Sequence, residues 1–156
     1  IVGLKRYAES QGVSTAMTFS DPSMLEYFRD NINEVLGTGV DLLFCNEREL
    51  GLWAQTDDFE AAFMKAQGFA KKLVVTLGAK GALLFDGDRR IPIAPNAVNA
   101  IDTNGAGDMF AGAFLYGITN GMDFEAAGNL ASLASARVVS NFGPRLAPEE
   151  HAAILG

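Results

Sequence analysis

The chain has 156 residues, which is enough for one domain with a hydrophobic core of its own. Apolar residues make up 49% and charged residues 20%, so the composition is not that of a disordered or low-complexity segment. Acidic residues outnumber basic ones by 19 to 12, which argues against a nucleic-acid partner, and no apolar run reaches the roughly 18 residues of a membrane span.

The first residues predict the end of a helix rather than the start of a protein. The chain begins with Ile1, shows no signal peptide, and has at 5–12 the pattern of a helix end stopped by Gly12. We therefore expect a fragment of a longer protein. The single cysteine, Cys45, cannot form an internal disulfide, which fits a reducing cytoplasm.

Short strands and amphipathic helices alternate along the rest of the chain. Strands are predicted at 13–19, 40–45 and 73–77, and a hairpin at 81–93 with its turn at 86–88. Helices are predicted to begin at 21, 46 and 58, and two long ones to cover 105–120 and 123–141.

The spacing of apolar residues predicts an inner face for several of these helices. The helix from 21 has an apolar stripe at helical spacing, formed by Met24, Leu25, Phe28, Ile32, Val35 and Leu36. The inner side of the helix from 58 consists of Phe59, Ala62, Phe63, Ala66, Phe69 and Ala70. The last long helix is apolar on most sides and should be deeply packed, through Phe124, Ala127, Leu130, Leu133, Ala134 and Val138.

This alternation predicts an α/β fold. The strands should form a largely parallel sheet, covered by helices on both faces, and the hairpin should supply an antiparallel edge. Ligands of such folds bind beyond the carboxyl ends of the strands. We find no repeat, linker or charge block that would mark a domain boundary inside the chain.

The strongest chemical signal is the run DTNGAGDMF at 102–110, placed at the start of a predicted helix. Unpaired N–H groups at a helix start attract anions, and Gly105 and Gly107 would let a phosphate approach those groups closely. Asp108 would lie in the first turn, where its charged form is favoured and can accept a proton. A structural glycine turn explains the same spacing. The P-loop and dinucleotide-binding patterns are absent from the sequence.

Two further motifs follow predicted strands. In the run NERE at 46–49, Asn46 and Glu49 are spaced for a capping box, which explains the two residues without a metal and is also compatible with a metal-binding role. In the run TLGAKG at 76–81, a bare G-x-x-G equally marks a tight connection into the next strand. His151 is predicted to lie at the surface, and Cys45 in the core.

Together these three runs resemble the motifs of the ribokinase-like (PfkB) family of carbohydrate and nucleoside kinases. The run at 102–108 matches the family signature D-T-x-G-A-G-D at every specified position, and the other two match N-x-x-E and T-x-G-x-x-G in the same order. The resemblance covers essentially all 156 residues. It implies that residues 1–156 are the carboxyl-terminal, ATP-binding half of a ribokinase-like domain, without the amino-terminal half and lid.

The resemblance also implies roles for the residues of the signature. Asp108 would be the base that takes a proton from the acceptor hydroxyl. The backbone amides of Gly105, Ala106 and Gly107 would form the anion hole. Asp102 and Asn104 resemble positions near a monovalent cation in some members, which leaves K⁺ dependence open.

Outside the signature, the resemblance assigns the metal and the nucleotide. Asn46 and Glu49 would organise Mg²⁺ and phosphate through water, consistent with the oxygen ligands that Mg²⁺ prefers. The remaining residues expected to border ATP are Thr76, Gly78, Gly81 and Asn129.

The implied activity is transfer of the γ-phosphoryl group of ATP to a hydroxyl of a small sugar or nucleoside. Asn104, the third residue of the signature, favours the adenosine-kinase-like branch. A homodimer is left open, and neither a nucleic acid nor a membrane is an expected partner. The alternatives are adenosine kinase specifically, a nucleotide-binding module without catalysis, and an α/β binding domain in which the glycine turn is structural.

Overall fold

The computed structural model describes residues 1–155, so Gly156, the last residue of the predicted half-domain, lies outside the described residues. Within residues 1–155 the chain forms seven α-helices and five β-strands. The helices are α1 (Val2–Ser10), α2 (Pro22–Leu36), α3 (Glu47–Ala54), α4 (Phe59–Gln67), α5 (Ala106–Thr119), α6 (Phe124–Val139) and α7 (Pro148–Leu155). The strands are β1 (Ala16–Thr18), β2 (Val40–Asn46), β3 (Ala70–Thr76), β4 (Ala82–Phe85) and β5 (Arg90–Ile93). No helix in this range is long and apolar enough to cross a membrane.

The chain divides into two compact units, of which the first comprises Ile1–Thr76 and Phe85–Arg90. Its strands β1, β2 and β3 are parallel and adjacent in that order, with Thr18 opposite Phe44 and Asn46 opposite Thr76. Strand β2 is buried along most of its length, as expected of a strand covered on both faces. The core of this unit contains Phe19, Leu36, Leu43, Leu50, Phe63, Leu73, Val74 and Val75.

The second unit comprises Leu77–Leu84 and the chain from Ile91 onward. The turn of the β4–β5 hairpin belongs to the first unit and is closed by a hydrogen bond from the Asp86 N–H to the Arg89 carbonyl, at 3.2 Å. Pro92 lies within β5, which is the last strand in the sheet order and can accommodate a residue without an N–H donor. The α/β class, the parallel strands and the antiparallel hairpin of the prediction are confirmed.

Helices α5 and α6 pack closely because their contact surfaces carry small residues. A Cβ atom added at Gly117 would lie 2.8 Å from the Cβ of Ala127. Gly128 serves a different contact, that of α6 with the hairpin, because a Cβ atom there would lie 2.7 Å from methyl carbons of Leu84 and Ile93. The buried side of α6 is formed mainly by Ala127, Gly128, Ala131, Ser132, Ala134, Ala136 and Val138. Leu133, predicted to be inside, is 36% exposed, so the deep packing of α6 involves its small residues rather than its large ones.

Several predicted boundaries and faces were wrong. The first strand covers three residues instead of seven, because the Val13 N–H donates to Ala8 and the Thr15 N–H to the Asp41 side chain. The third strand begins at Ala70, so Phe69 and Ala70 do not belong to helix α4. In α2, only Leu25, Ile32 and Leu36 of the predicted stripe are buried; Phe28 has non-helical backbone angles and is 52% exposed.

Candidate functional site

The glycine-rich run forms the amino-terminal end of helix α5. Gly105 is the N-cap residue, with a left-handed backbone at φ 77°, and its carbonyl accepts the Met109 N–H at 2.9 Å. The Ala106 N–H donates to the Thr103 carbonyl at 3.3 Å. Within residues 1–155, the N–H groups of Gly107 and Asp108 have no hydrogen-bond partner. The helix start therefore offers at least two free donors, with the electrostatics that favour an anion.

Gly107 keeps this end of the helix open. A Cβ atom added at Gly107 would meet no atom within 4 Å, so the fold itself leaves room for a side chain there. The residue is exposed and belongs to the regular part of α5. The space beside its N–H is therefore accessible to a ligand.

Asp108 lies in the first turn of the same helix, with an exposed carboxylate. In the described chain, its side chain makes no hydrogen bond or ion pair, whereas the Asp123 side chain caps α6 by accepting the Ala126 N–H at 2.7 Å. The Asp108 carboxylate is therefore free to accept a proton from a ligand that occupies the helix end.

Asp102 is held by backbone groups on both sides. Its Oδ1 accepts the Asn104 N–H at 3.0 Å, and its Oδ2 accepts the Gly143 N–H at 3.1 Å. Asn104 itself is exposed. Asp102 and Asn104, which the family resemblance associates with a monovalent cation, therefore lie close together in one loop. The Asp102 carboxylate already accepts two hydrogen bonds from backbone N–H groups.

In the first unit, Asn46 and Glu49 form the predicted capping box at the start of α3. The Glu49 N–H donates to the Asn46 Oδ1 at 2.8 Å, while the Glu49 oxygens accept the Asn46 N–H at 2.9 Å and its Nδ2 at 2.8 Å. Thr76, which ends β3, stands opposite Asn46 in the strand register. The structure therefore brings these three residues together at the carboxyl ends of β2 and β3; we call them the strand-end cluster.

Glu49 is the buried acid of the strand-end cluster, with only 5% of its surface exposed. Burial raises the pKa of its carboxyl group, and the nearby Asp21 charge raises it further, although the Asn46 backbone N–H acts in the opposite direction. A divalent cation near this carboxylate would favour its ionised form, since opposite charges stabilise each other.

The donor set fits Mg²⁺ held through water. One carboxylate and one amide oxygen are hard ligands of the kind that Mg²⁺ uses, and Mg²⁺ usually retains several of its own waters. Each of these oxygens accepts one hydrogen bond and keeps a lone pair for a further donor, such as a metal-bound water. Across residues 1–155 no group of three or more His, Cys, Asp or Glu residues could enclose a metal.

The loop after β3 is fixed by its own backbone. The Leu77 N–H donates to the Gly81 carbonyl at 2.8 Å, and the Gly81 N–H donates to the Gly78 carbonyl at 3.1 Å. A Cβ atom at Gly81 would overlap the Ile93 carbonyl oxygen, and φ there is 90°, so this position requires glycine. Gly78 has φ 59° and open space around it. The first glycine is therefore free to face a ligand, while the second serves packing.

Asn129 is exposed on α6, immediately after Gly128, which packs against the hairpin. Its side chain is therefore presented to solvent beside the point where α6 contacts β4 and β5.

Comparison with known proteins assigns the family. The model of the pfkB family of carbohydrate kinases matches residues 3–151. The chain belongs to this family. It is 33% identical over 147 residues to a cytidine kinase of Thermococcus kodakarensis, covering 90% of this chain and 52% of the relative.

Solved structures agree with this assignment. An adenosine kinase from Sinorhizobium meliloti has a TM-score of 0.88 and 33% identity, over 97% of this chain and 47% of that one. Arabidopsis thaliana ribokinase, solved with ribose and ATP, has a TM-score of 0.81 and 26% identity, over 99% of this chain and 51% of that one. This pfkB-family chain thus spans about half the length of the relatives it matches.

Two features of the pfkB-family chain were not predicted from its sequence. Asp21, the N-cap of α2, follows β1 and influences the Glu49 carboxyl group electrostatically. The segment at 142–145 lies against the glycine-rich run, and Pro144 contacts Gly105. The Phe-Gly-Pro sequence that follows α6 signals a turn, but nothing in the sequence shows which part of the chain that turn will contact.

Proposed function

We propose that the full-length protein transfers the γ-phosphoryl group of ATP to a hydroxyl of a small sugar or nucleoside. The main support for this proposal is the amino-terminal end of α5, where the free N–H groups of Gly107 and Asp108 adjoin an unpartnered Asp108 carboxylate. Membership of a carbohydrate kinase family supports this chemistry.

Asp108 would act as the base of the reaction. Its carboxylate takes the proton of the acceptor hydroxyl as the hydroxyl oxygen bonds to the γ-phosphorus and the bond from that phosphorus to ADP breaks. Phosphoryl-transfer transition states are loose, so positioning and charge stabilisation contribute more than strong basicity. An exposed aspartate beside free backbone donors suits this requirement.

The amides of Gly105, Ala106 and Gly107 would stabilise charge on the transferred group. Preorganised N–H donors contribute much of the rate enhancement in such reactions. The Ala106 N–H is the weakest candidate of the three, because it already makes a 3.3 Å hydrogen bond to Thr103. The Asp108 N–H, which is free, is the natural replacement for it.

The strand-end cluster would serve the metal. Asn46 and Glu49 would accept hydrogen bonds from waters on Mg²⁺, and the capping box holds both side chains in place for that task. When bound, Mg²⁺ neutralises charge on the ATP phosphates. Thr76, opposite Asn46 in the strand register, would add a hydroxyl at the same strand ends.

The nucleotide would use the loop after β3 and helix α6. Gly78 offers open backbone, Gly81 fixes the shape of the loop, and Asn129 offers an exposed amide. The relative from Arabidopsis thaliana was solved with ribose and ATP, which supports ATP as the donor here.

The single cysteine, Cys45, is buried and forms no disulfide, which fits an enzyme of the reducing cytoplasm.

A nucleoside is the more specific candidate for the acceptor. The cytidine kinase and the adenosine kinase named above are each 33% identical to this chain over at least 90% of its length, whereas a ribokinase of Lactococcus lactis is 36% identical over only 48% of it. We therefore place adenosine and cytidine first among the acceptors to be tested.

The test is a kinase assay on the full-length protein. ATP, Mg²⁺ and a panel of adenosine, cytidine, ribose and fructose would be supplied, with ADP release measured for each acceptor. We expect acceptor-dependent ADP release, highest with a nucleoside. Binding of ATP without turnover on any acceptor would contradict the kinase proposal and favour a nucleotide-binding module.

A further inference from the structure

The segment after helix α6 lies against the glycine-rich run. A Cβ atom added at Gly105 would stand 2.5 Å from the Pro144 carbonyl oxygen and 2.7 Å from the Pro144 Cβ. Gly105 also has φ 77°, a left-handed backbone conformation that L side chains rarely adopt. Pro144 thus occupies the position that a side chain at residue 105 would take.

Asp102 joins the two segments on either side of this contact. One carboxylate oxygen accepts the Asn104 N–H and the other accepts the Gly143 N–H, at 3.0 and 3.1 Å. Asn104 directly precedes Gly105, and Gly143 directly precedes Pro144. The residues that precede the two contacting residues are therefore both hydrogen-bonded to the Asp102 side chain. Asp102 also donates its own N–H to the Val139 carbonyl at 3.3 Å, which fixes it to the end of α6.

Only a carboxylate can make both bonds. Each of its oxygens is an acceptor, whereas an asparagine side chain has one acceptor oxygen and an NH₂ group that donates. With asparagine at residue 102, a donor would face either the Asn104 or the Gly143 N–H. One bond would be lost, and the side chain of residue 102 would no longer join the two segments.

We propose that Asp102 is a positioning residue for phosphoryl transfer. Through Gly143 and Pro144 it keeps Gly105 in the left-handed N-cap conformation. The direction of the first turn of α5, with its free N–H groups and the Asp108 carboxylate, depends on that conformation. This inference rests on the proposed function, and it assigns to Asp102 a task different from binding a monovalent cation.

The test compares Asp102→Asn with Asp123→Asn in the full-length protein. Both aspartates accept backbone N–H groups in the same unit, but Asp123 caps α6. For Asp102→Asn we expect kcat to fall about 10-fold or more, with the KM for ATP changed by less than about 3-fold, because misplaced groups affect the transition state most. Asp123→Asn should retain nearly full kcat.

Hydrogen–deuterium exchange of peptides covering 103–105 and 141–146 supplies a readout that does not depend on activity. In Asp102→Asn, exchange at the Asn104 or the Gly143 amide should be about 10-fold faster, and both amides should be unchanged in Asp123→Asn. Unchanged exchange at both amides in Asp102→Asn, or faster exchange with full kcat, would overturn the proposal. A loss of kcat with both amides unchanged, reproduced in the parent protein by K⁺ removal, would assign Asp102 to the cation instead.

A second variant covers the case in which Asp102→Asn does not fold. Pro144→Gly removes the Cβ atom that lies against Gly105 and keeps the Asp102 hydrogen bonds, whereas Pro144→Ala keeps that Cβ and serves as its control. Pro144→Gly should lower kcat by several-fold with little change in the KM for ATP, and unchanged kcat would overturn the proposal. A parent protein without phosphoryl transfer would instead contradict the proposed function, and exchange at the Asn104 and Gly143 amides would then decide whether Asp102 joins the two segments.

Discussion

At the residue scale, the aspartates of the second unit divide by what their carboxylates do. Asp102 and Asp123 accept backbone N–H groups and thereby fix a loop and a helix end. Asp108 has no such structural task, although it stands at the helix start with the free donors. Its removal should therefore alter chemistry more than folding.

Asp108→Asn should reduce turnover by about 10²-fold or more, because the amide keeps the size of the side chain and removes the proton acceptor. Affinity for ATP should change little. The measurement is kcat in the full-length protein beside equilibrium ATP binding, with Asp88→Asn as the matched control in the exposed hairpin turn. Turnover within a few-fold of the parent would remove Asp108 from the role of base.

Gly107→Val tests whether the backbone donors face a ligand. The Cβ of the new side chain would meet no protein atom within 4 Å, and the side chain would extend into the space beside the free N–H groups. Loss of one such donor typically lowers the rate by about 10²–10³-fold. Gly112→Val is the control, because Gly112 is also exposed, lies in α5 and has nothing within 4 Å of its added Cβ. Equal kcat in the two variants would show that Gly107 serves only the turn.

At the element scale, local signals predicted the elements better than their faces. The capping box at Asn46 and the glycine N-cap of α5 depend on a few neighbouring residues, and both could be read from the sequence. The apolar spacing of α2 could not show that Phe28 interrupts the helix, nor that part of its stripe stays exposed. Periodicity identifies a face, but packing decides whether that face is covered.

Long-range contacts could not be predicted from the sequence for the same reason. The segment at 142–145 reads as a turn, and only the folded chain shows Gly143 bonded to Asp102, 41 residues earlier. Strand β1 is shorter than its apolar run because the side chain of Asp41, from the neighbouring strand, takes the Thr15 N–H. Such partners are chosen by tertiary structure, not by local propensity.

Asp41 fastens the amino ends of the three parallel strands. Its carboxylate accepts Lys71 Nζ at 2.7 Å and the Thr15 N–H at 2.8 Å. The Lys71 ammonium first, and then the Thr15 N–H, hold the pKa of Asp41 below its ordinary value of 3.8. A carboxyl group with a lowered pKa stabilises the fold above its unfolded pKa, and this stability is lost as pH falls through the folded pKa.

Asp41→Asn should therefore lower the free energy of unfolding by about 1 kcal/mol at pH 7, a modest value because the pair is partly solvated. The difference from the parent should shrink as pH falls below about 4. Urea unfolding of the full-length protein at several pH values measures it, with Asp30→Asn as an exposed control. A difference that does not depend on pH would contradict the ionic contribution of Asp41.

At the scale of the whole molecule, the net charge of −7 does not oppose an anionic ligand. The donors proposed for phosphate are backbone N–H groups at one helix end, whose partial charges act at short range. Acidic residues elsewhere are largely screened by salt at distances beyond about 10 Å. Local geometry rather than net charge therefore decides whether a phosphate binds. The glycines of the run at 102–110 are the part of the sequence that indicates this geometry.

Two predictions concern the isolated chain of residues 1–156, which spans about half the length of its relatives. Phosphoryl transfer requires both reactants to be held in line and water to be excluded, and we expect half of such a protein to do neither. Residues 1–156 alone should bind ATP weakly at most and release no phosphorylated sugar or nucleoside in a radiolabelled-ATP assay. Clear product formation would mean that the acceptor site lies within these residues.

The same isolated chain should also self-associate. Ile1, Leu4, Tyr7 and Val13 are between 55% and 90% exposed, and helix α1 has no buried residue. Exposed apolar side chains concentrated in one segment favour association, because burying them against another chain removes them from water. Light scattering during size-exclusion chromatography should give a mass above 16.6 kDa that rises with concentration. Replacing Leu4 and Tyr7 by serine should reduce that rise, and an unchanged rise would place the contact surface elsewhere.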